Sequence, residues 1–507
     1  MDALYFSNRL IPALLAMVLA GCAAGPDFVK PTPAAPDDWN GWRSGDASLR
    51  SSPEAARALP AQWWQAFNDE TLDALEQRAT TASPDLRTAA LHFAQARAQR
   101  TTVAAQRGPQ LDASASATRQ RQSENGAATR VYSELGSSSS LFDTSSLIDL
   151  LSQPYTLYQA GFDASWEFDL WGRVRRSVEA ADANVEQQAA LLELARLSLA
   201  SEVARNYFEL RTAQRQISLM RQDVAALEER ARLLQARVEG GVLDHTDLQR
   251  QRAELAALKA QLPPLLAQEA ACANQIALLL GEHPGALQAE LAPQDAVAST
   301  ALPDLALGLP SAIALRRPDI RAAEARLHSA TASIGIARAE LYPSIRLGGK
   351  FGYESYLSGN FSDWGSRTWS VGPSLSLPIF DHGRRTATVH LRELQQQEVA
   401  VNYQQTVLKA WQEIDDALSA YTAEQQQARE LQNRSDAASD AYALAQARYD
   451  GGITDFTAVL DAQRSDLQAR RDLVASEGRL NTRYVTVNKA IGNAPLDTAS
   501  AEGKVTE

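Results

Sequence analysis

Two segments of equal length, Arg173 to Glu239 and Arg384 to Asp450, contain neither glycine nor proline and consist largely of Ala, Leu, Gln, Glu and Arg. These are strong helix formers, and an unbroken helix of that length measures roughly 100 Å at 1.5 Å per residue. Such a rod exceeds the diameter of an ordinary globular domain. Both segments stop at a glycine pair, Gly240–Gly241 and Gly451–Gly452, and glycine tolerates the left-handed conformation that ends helices. An aspartate follows each pair, Asp244 or Asp455, placed to cap a returning helix. The chain reads as two helical hairpins.

The hairpins belong to a larger repeat. "PDLRTAA" at 84–90 matches "PDIRAAE" at 318–324, and Pro109 matches Pro343, with an offset of 234. Gly161 matches Gly372, Gly172–Arg173 matches Gly383–Arg384, and "ARVEGG" at 236–241 matches "ARYDGG" at 447–452, with an offset of 211. The difference of 23 lies between residues 111 and 160, where "SENGAATRVYSELGSSSS" has the composition of a surface loop. One architecture is therefore written twice. The returning segments 244–280 and 455–491 are shorter than the long ones, but with 84–107 and 318–341 stacked on them they reach roughly 92 Å. Pro263–Pro264 is expected to bend or interrupt the first returning helix, since proline lacks the N–H and clashes with the preceding turn. The counterpart of Pro263 in the second copy is Val474.

Between short and long helices the period changes from 3.6 to 2. Ala160, Phe162, Ala164, Trp166, Phe168 and Leu170 alternate with polar or small residues, as do Trp369, Val371, Leu375, Leu377 and Ile379. Leu111, Ala113, Ala115 and Ala117 alternate with Asp112, Ser114 and Ser116, and Ile345, Leu347, Phe351 and Tyr353 with Arg346, Lys350 and Glu354. This is strand patterning with one apolar face, at a length that also suits a tilted membrane strand. A soluble sheet needs chain to cover that face, and most of the remainder is long helix. Four strands cannot close a membrane barrel alone, and open edges in lipid leave backbone groups unsatisfied. Several chains have to share one barrel.

The termini and composition narrow the class. Arg9 is followed by an 11-residue apolar run, Leu10 to Ala20, too short to span a bilayer and proportioned like a signal sequence. "LAGC" at 19–22 looks like a bacterial lipobox, with Cys22 as the lipid attachment site. One acyl anchor holds only marginally. Cys272 is the other cysteine, so no disulfide framework exists. The chain is acidic, with a net charge of −12 and a pI near 5.2, and it has no basic run interleaved with aromatics, which argues against nucleic acid. There is no GxxxxGK[ST] loop, GxSxG elbow or dinucleotide fingerprint, and "DHTD" at 244–247 is explained by a capped helix start rather than a metal site. Neither catalysis nor a cofactor is expected.

Together "GCAAGPDFVKP" at 21–31, "WWQAFND" at 63–69, "RRPDIRAAEARL" at 316–327, "YPSIRLGG" at 342–349, "PSLSLPIFDHGRR" at 373–385 and "ARYDGGITDF" with "VLDAQR" at 447–464 carry a resemblance. The chain resembles the outer-membrane channel lipoproteins of tripartite efflux systems, TolC-like proteins of the NodT-like group. That resemblance implies a mixed α and membrane-β fold: a trimeric twelve-stranded β-barrel continuous with a twelve-helix α-barrel, with an internal two-fold repeat in each chain. It also implies lipid at Cys22, with Ala23 rather than Asp directing the protein to the outer membrane, a periplasmic adaptor and an inner-membrane RND-type pump as partners, and an exit duct for drugs or other small toxic compounds. The implied organisation is a signal peptide at 1–21, a lipidated and equatorial segment at 22–70, repeats at 71–281 and 317–491, an equatorial linker at 282–316 and a tail at 492–507.

In the resembling family the second helix pair constricts the lumen. Asp461 occupies the aspartate position of "VLDAQR"; threefold symmetry would make it a ring, and crowded carboxylates repel one another and attract cations. A solvated helix charge is the plain alternative. Asp455 is first a helix cap, while Tyr449 and Arg464 are lock candidates able to hydrogen-bond between helices. The counterpart of Asp461 is Arg250, and Thr457 stands where relatives often carry a bulky apolar residue. The turns Gly240, Gly241, Val242, Leu243 and Gly451, Gly452, Ile453, Thr454 are the expected adaptor contacts. Rival readings are a TolC-like duct for type I protein secretion and, in a different class, a trimeric coiled-coil envelope spacer or adhesin without a pore.

Overall fold

The computed structural model describes residues 24–36, 42–50, 62–126, 144–241, 244–293 and 310–494. Residues 1–23, including the expected signal segment and Cys22, lie outside the described residues, as do Val242, Leu243 and the tail from 495. The helices are α1 (Glu70–Ala82), α2 (Pro84–Ala104), α3 (Thr144–Ser152), α4 (Arg173–Glu239), α5 (His245–Leu279), α6 (Pro310–Arg316), α7 (Pro318–Ala339), α8 (Arg384–Asp450) and α9 (Phe456–Ala490). The strands are β1 (Gln110–Gln120), β2 (Tyr155–Phe168), β3 (Ser344–Ser355) and β4 (Arg367–Ser376). They divide into two compact units, Met1–Phe28 with Ala98–Asp182 and His328–Gln397, and Val29–Arg97 with Ala183–Leu327 and Glu398–Glu507.

The first unit holds one antiparallel sheet in the order β1-β2-β3-β4. Its register puts Ala113 opposite Phe162, Phe162 opposite Phe351 and Phe351 opposite Trp369. Because successive side chains point to opposite faces, this register gathers the apolar positions of all four strands on one side. That side is bare: Leu111, Phe162, Trp369, Val371 and Leu375 are all exposed. On the other face Lys350 Nζ lies 3.0 Å from Asp163, and Gln159 Nε2 donates to Glu354 at 2.7 Å. Gly161 faces Gly352 there, and a Cβ on either would stand 2.6 Å from a carbonyl oxygen of the opposite strand. Only glycines permit this approach. Two strands are shorter than their alternation predicts. β2 stops at Phe168 because the Asp169 carboxylate accepts from the N–H groups of Val174 and Arg175 at 2.9 and 2.8 Å, which starts α4. β4 stops at Ser376, so Leu377 and Ile379 lie beyond it; Pro378 has no N–H to offer a ladder.

The N-terminal residues of this unit are seated on its helices. Ala24 N–H donates to the Trp171 carbonyl at 2.9 Å, Asp27 pairs with the buried Arg176 at 2.6 Å, and the Phe28 ring stacks on His328 at 4.3 Å. A Cβ on Gly25 would lie 2.5 Å from Gly335 Cα, so backbone meets backbone at that point.

The second unit is helical. Its largest core cluster gathers Trp63, Trp64 and Phe67 of a 3-10 turn with Leu72 and Leu75 of α1, Tyr207 and Phe208 of α4, Ile414 and Tyr421 of α8, and Tyr484 of α9. Full burial of side chains this large contributes roughly 1.5–3 kcal/mol each. Asp69 organises the entry, capping α1 through the N–H groups of Thr71 and Leu72 and accepting from the Tyr207 hydroxyl at 2.5 Å. The long helices α4 and α8 are each 67 residues and unbroken. The expected interruption at Pro263–Pro264 does not occur, since α5 runs through both prolines as one helix. Each removes one backbone hydrogen bond, but Leu262 and Leu265 beside them pack on Met220, Leu227, Leu258 and Leu467, which holds the helix in place.

Candidate gate and docking turns

The hairpin turns are built by glycine chemistry. Gly241 and Gly452 have φ of 74° and 71°, the left-handed region. After α8, Gly452 N–H donates to the Tyr449 carbonyl and Ile453 N–H to the Arg448 carbonyl, both at 2.9 Å, the paired bonds of a Schellman end. After α4, Gly241 N–H donates to the Val238 carbonyl at 3.0 Å. Asp244 caps α5 by accepting from Thr246 N–H at 3.3 Å and its hydroxyl at 3.0 Å, and these bonds hold its carboxyl below the usual carboxylate value. Asp455 caps α9 by accepting from Ala458 N–H at 3.1 Å. Gly240, Gly241, Gly451, Gly452 and Ile453 are exposed, Ile453 at 76%, and Thr454 is half-buried.

Just inside the turns, Leu234 of α4, Leu248 of α5, and Phe456, Val459 and Leu460 of α9 form an apolar layer, with Tyr449 of α8 packed against it. The Tyr449 ring lies 5.5 Å from that of Phe456, so within this chain Tyr449 acts by packing. Arg230 is the hub of the layer. Its guanidinium lies 5.8 and 5.9 Å from the Tyr442 and Phe456 rings, bonds Gln463 at 2.9 Å and also reaches Gln446. No sequence signal singled it out among the many helix arginines.

Polar contacts join α5 to α9. Arg250 Nη1 donates to Thr457 Oγ1 at 3.0 Å, Arg464 pairs with Glu254 at 2.6 Å, and Arg471 donates to Gln261 at 3.1 Å. Arg464 therefore bridges the return helices of the two hairpins. Asp461, on the same helix, is exposed and has no hydrogen bond or ion pair among the described residues. Arg250 engages Thr457 and Asp247 rather than Asp461.

Further along, Asp466 and Arg470 of α9 meet Asp223 of α4, a set no motif marked. Arg470 bonds Asp466 at 2.5 Å and lies 3.6 Å from Asp223. Among the described residues no group of three or more His, Cys, Asp or Glu is placed to hold a metal ion, and no helix is long and apolar enough to cross a membrane.

These features can be set against known proteins. The family model for outer membrane efflux proteins matches residues 75–282 and 309–493. The outer membrane protein OprJ of Pseudomonas aeruginosa is 31% identical over 481 residues, 94% of either chain. The toluene efflux pump outer membrane protein TtgC of Pseudomonas putida is 31% identical over 484 residues, 95% of this chain and 94% of that one. The solved structure of the outer-membrane channel OprN superposes with a TM-score of 0.81 at 32% identity, covering 93% of this chain and 99% of the other. The chain belongs to the outer membrane efflux protein family and is a TolC-like efflux channel of the Gram-negative outer membrane.

Proposed function

We propose that three copies of this chain build one exit duct, giving twelve strands to a single barrel and twelve helices to a single tunnel, each chain contributing a duplicated half-architecture. One observation carries this reading: a four-stranded sheet with a bare apolar face, in which β1 pairs only with β2 and β4 only with β3 among the described residues. In lipid those edges have to be paired, and four strands fall short of the eight of the smallest single-chain barrels. Pairing β4 of one copy with β1 of the next satisfies both. The polar face, with Asp163, Lys350 and Glu354, then lines a wet lumen.

The duct passively conducts drugs or other small toxic compounds, and its naming relatives, a toluene efflux component among them, support small cargo over protein. Energy comes from an inner-membrane RND-type pump through a periplasmic adaptor that docks at the glycine turns, where Ile453 offers an exposed apolar contact. Asp461 contributes a ring of carboxylates to the constriction, Asp455 caps the helix that carries it, and Arg464 and Tyr449 brace that helix. Cys22 carries lipid, and the seating of Ala24 against Trp171 supports an anchor at that end of the chain. Purified protein reconstituted in planar bilayers tests the reading. A trimeric mass with ion conductance supports a duct; a trimer without conductance supports the pore-free spacer instead.

A further inference from the structure

Asp223 is a carboxylate of the helical unit buried at a helix–helix contact without full compensation of its charge. It is 4% exposed, accepts no hydrogen bond among the described residues, and lies one turn from Met220 and one turn from Leu227, which pack with Leu258 and Leu467. The charged groups facing it are Arg470, Arg471 and Asp466, all on α9. Asp466 is equally buried at 3%, and the hydrogen bond from Arg470 goes to Asp466 rather than to Asp223. Among the described residues, Asp223 Oδ2, Asp466 Oδ1 and Arg470 Nε are all buried without a partner.

With Asp223 neutral, Arg470 and Asp466 form a balanced pair. With Asp223 ionised, two buried carboxylates share one close guanidinium, and the excess negative charge lies against apolar side chains. A buried charge that lacks full compensation is strongly unfavourable, and water relieves it only where α4 and α9 part. Burial raises the Asp223 carboxyl above its usual value, with Asp466 adding to that and the two arginines opposing it.

We propose that Asp223, Asp466 and Arg470 form a proton-operated catch between α4 and α9. The protonated Asp223 keeps the two helices packed, and loss of its proton to solvent loosens them near the candidate gate. Acid then favours the closed tip and alkali the open one. The counterpart of Asp223 in the second hairpin is Arg434, which pairs with Asp472 at 2.8 Å in a half-exposed setting, so the catch exists on one side only.

The test compares intact wild-type trimers with Asp223→Asn, which keeps the shape and removes the titration. In the infrared, the wild-type-minus-Asp223→Asn difference is expected to show the carbonyl stretch of a protonated carboxylic acid at pH values above 3.8, where an ordinary aspartate has begun to ionise, fading as pH rises further. In planar bilayers, wild-type opening rises severalfold over the same pH range, while Asp223→Asn stays near the acid level throughout. No protonated-acid band in that difference, or an identical pH profile of opening in the two proteins, overturns the catch. Loss of conductance in both proteins would instead count against the channel reading, on which the electrical arm alone rests.

Discussion

The two hairpins are matched in their backbones and unmatched in their side chains. Each has a 67-residue outgoing helix, a glycine turn, an aspartate cap and a 35-residue return. Yet α9 buries residues along its whole length, from Phe456, Val459 and Leu460 through Leu467 to Tyr484 and Val487, whereas the buried side chains of α5 are few: Leu248, Gln251, Leu258, Cys272, Ile276 and Ala277. Counterpart positions have diverged in kind. Phe456 answers to His245, Asp461 to Arg250, Arg470 to Lys259 and Asp223 to Arg434. The lengths and the turns, which backbone chemistry dictates, are thus alike in the two hairpins, while their faces differ.

Substitutions at counterpart positions break or sharpen this contrast. The largest effect is expected at the turns, where both hairpins should respond alike: valine at Gly241 or Gly452 puts a β-branched residue into the left-handed region, costing roughly 1–2 kcal/mol locally. A Cβ meets nothing within 4 Å at either position, so trimers should persist while drug efflux is lost. Normal drug resistance in cells carrying either variant would remove the turns from adaptor docking. Next comes Phe456→Ala, expected to destabilise by about 3–5 kcal/mol in urea denaturation, against almost nothing for His245→Ala on an exposed site.

Arg470→Ala leaves Asp466 buried without its cation and should cost about 3 kcal/mol. Lys259→Ala breaks a half-exposed pair with Glu228 and should cost under about 1 kcal/mol. At the candidate gate, Asp461→Ala should raise single-channel conductance at resting voltage or lessen sensitivity to cations, and Arg250→Ala should not. Equal responses would make the hairpins electrically equivalent after all.

The smallest effects are in pH dependence. Asp223 titrates above the ordinary 3.8 because burial penalises its charge, so the folded chain holds that proton more tightly than the unfolded chain. Its contribution is fully present below 3.8 and declines as pH rises from there through the folded value. Asp244 lies below 3.8 through its bonds from Thr246, so its contribution is present above 3.8 and lost as pH falls. Urea midpoints measured against pH should therefore decline less above 3.8 in Asp223→Asn and less below 3.8 in Asp244→Asn.

What could be read from the sequence follows from range. A glycine pair ends a helix, and an alternating strip makes a two-faced strand, through interactions a few residues long, so both were legible. At the candidate site the sequence could name residues only where a motif marked them, as at Asp461, which the structure shows as an exposed helix charge. Arg230, the Glu254–Arg464 bridge and the Asp223 cluster depend on which helix meets which, and nothing in a run of helix formers specifies that. The same reason explains Pro263–Pro264, where the local rule predicted a break and tertiary packing of Leu262 and Leu265 prevailed.

On this reading the bare sheet closes only in company with other copies of the chain. Cryo-microscopy of the protein in lipid nanodiscs tests it most directly. The account predicts three copies in one closed barrel, with β4 of each chain hydrogen-bonded to β1 of the next. A lone chain whose sheet folds its apolar face against its own residues would contradict it.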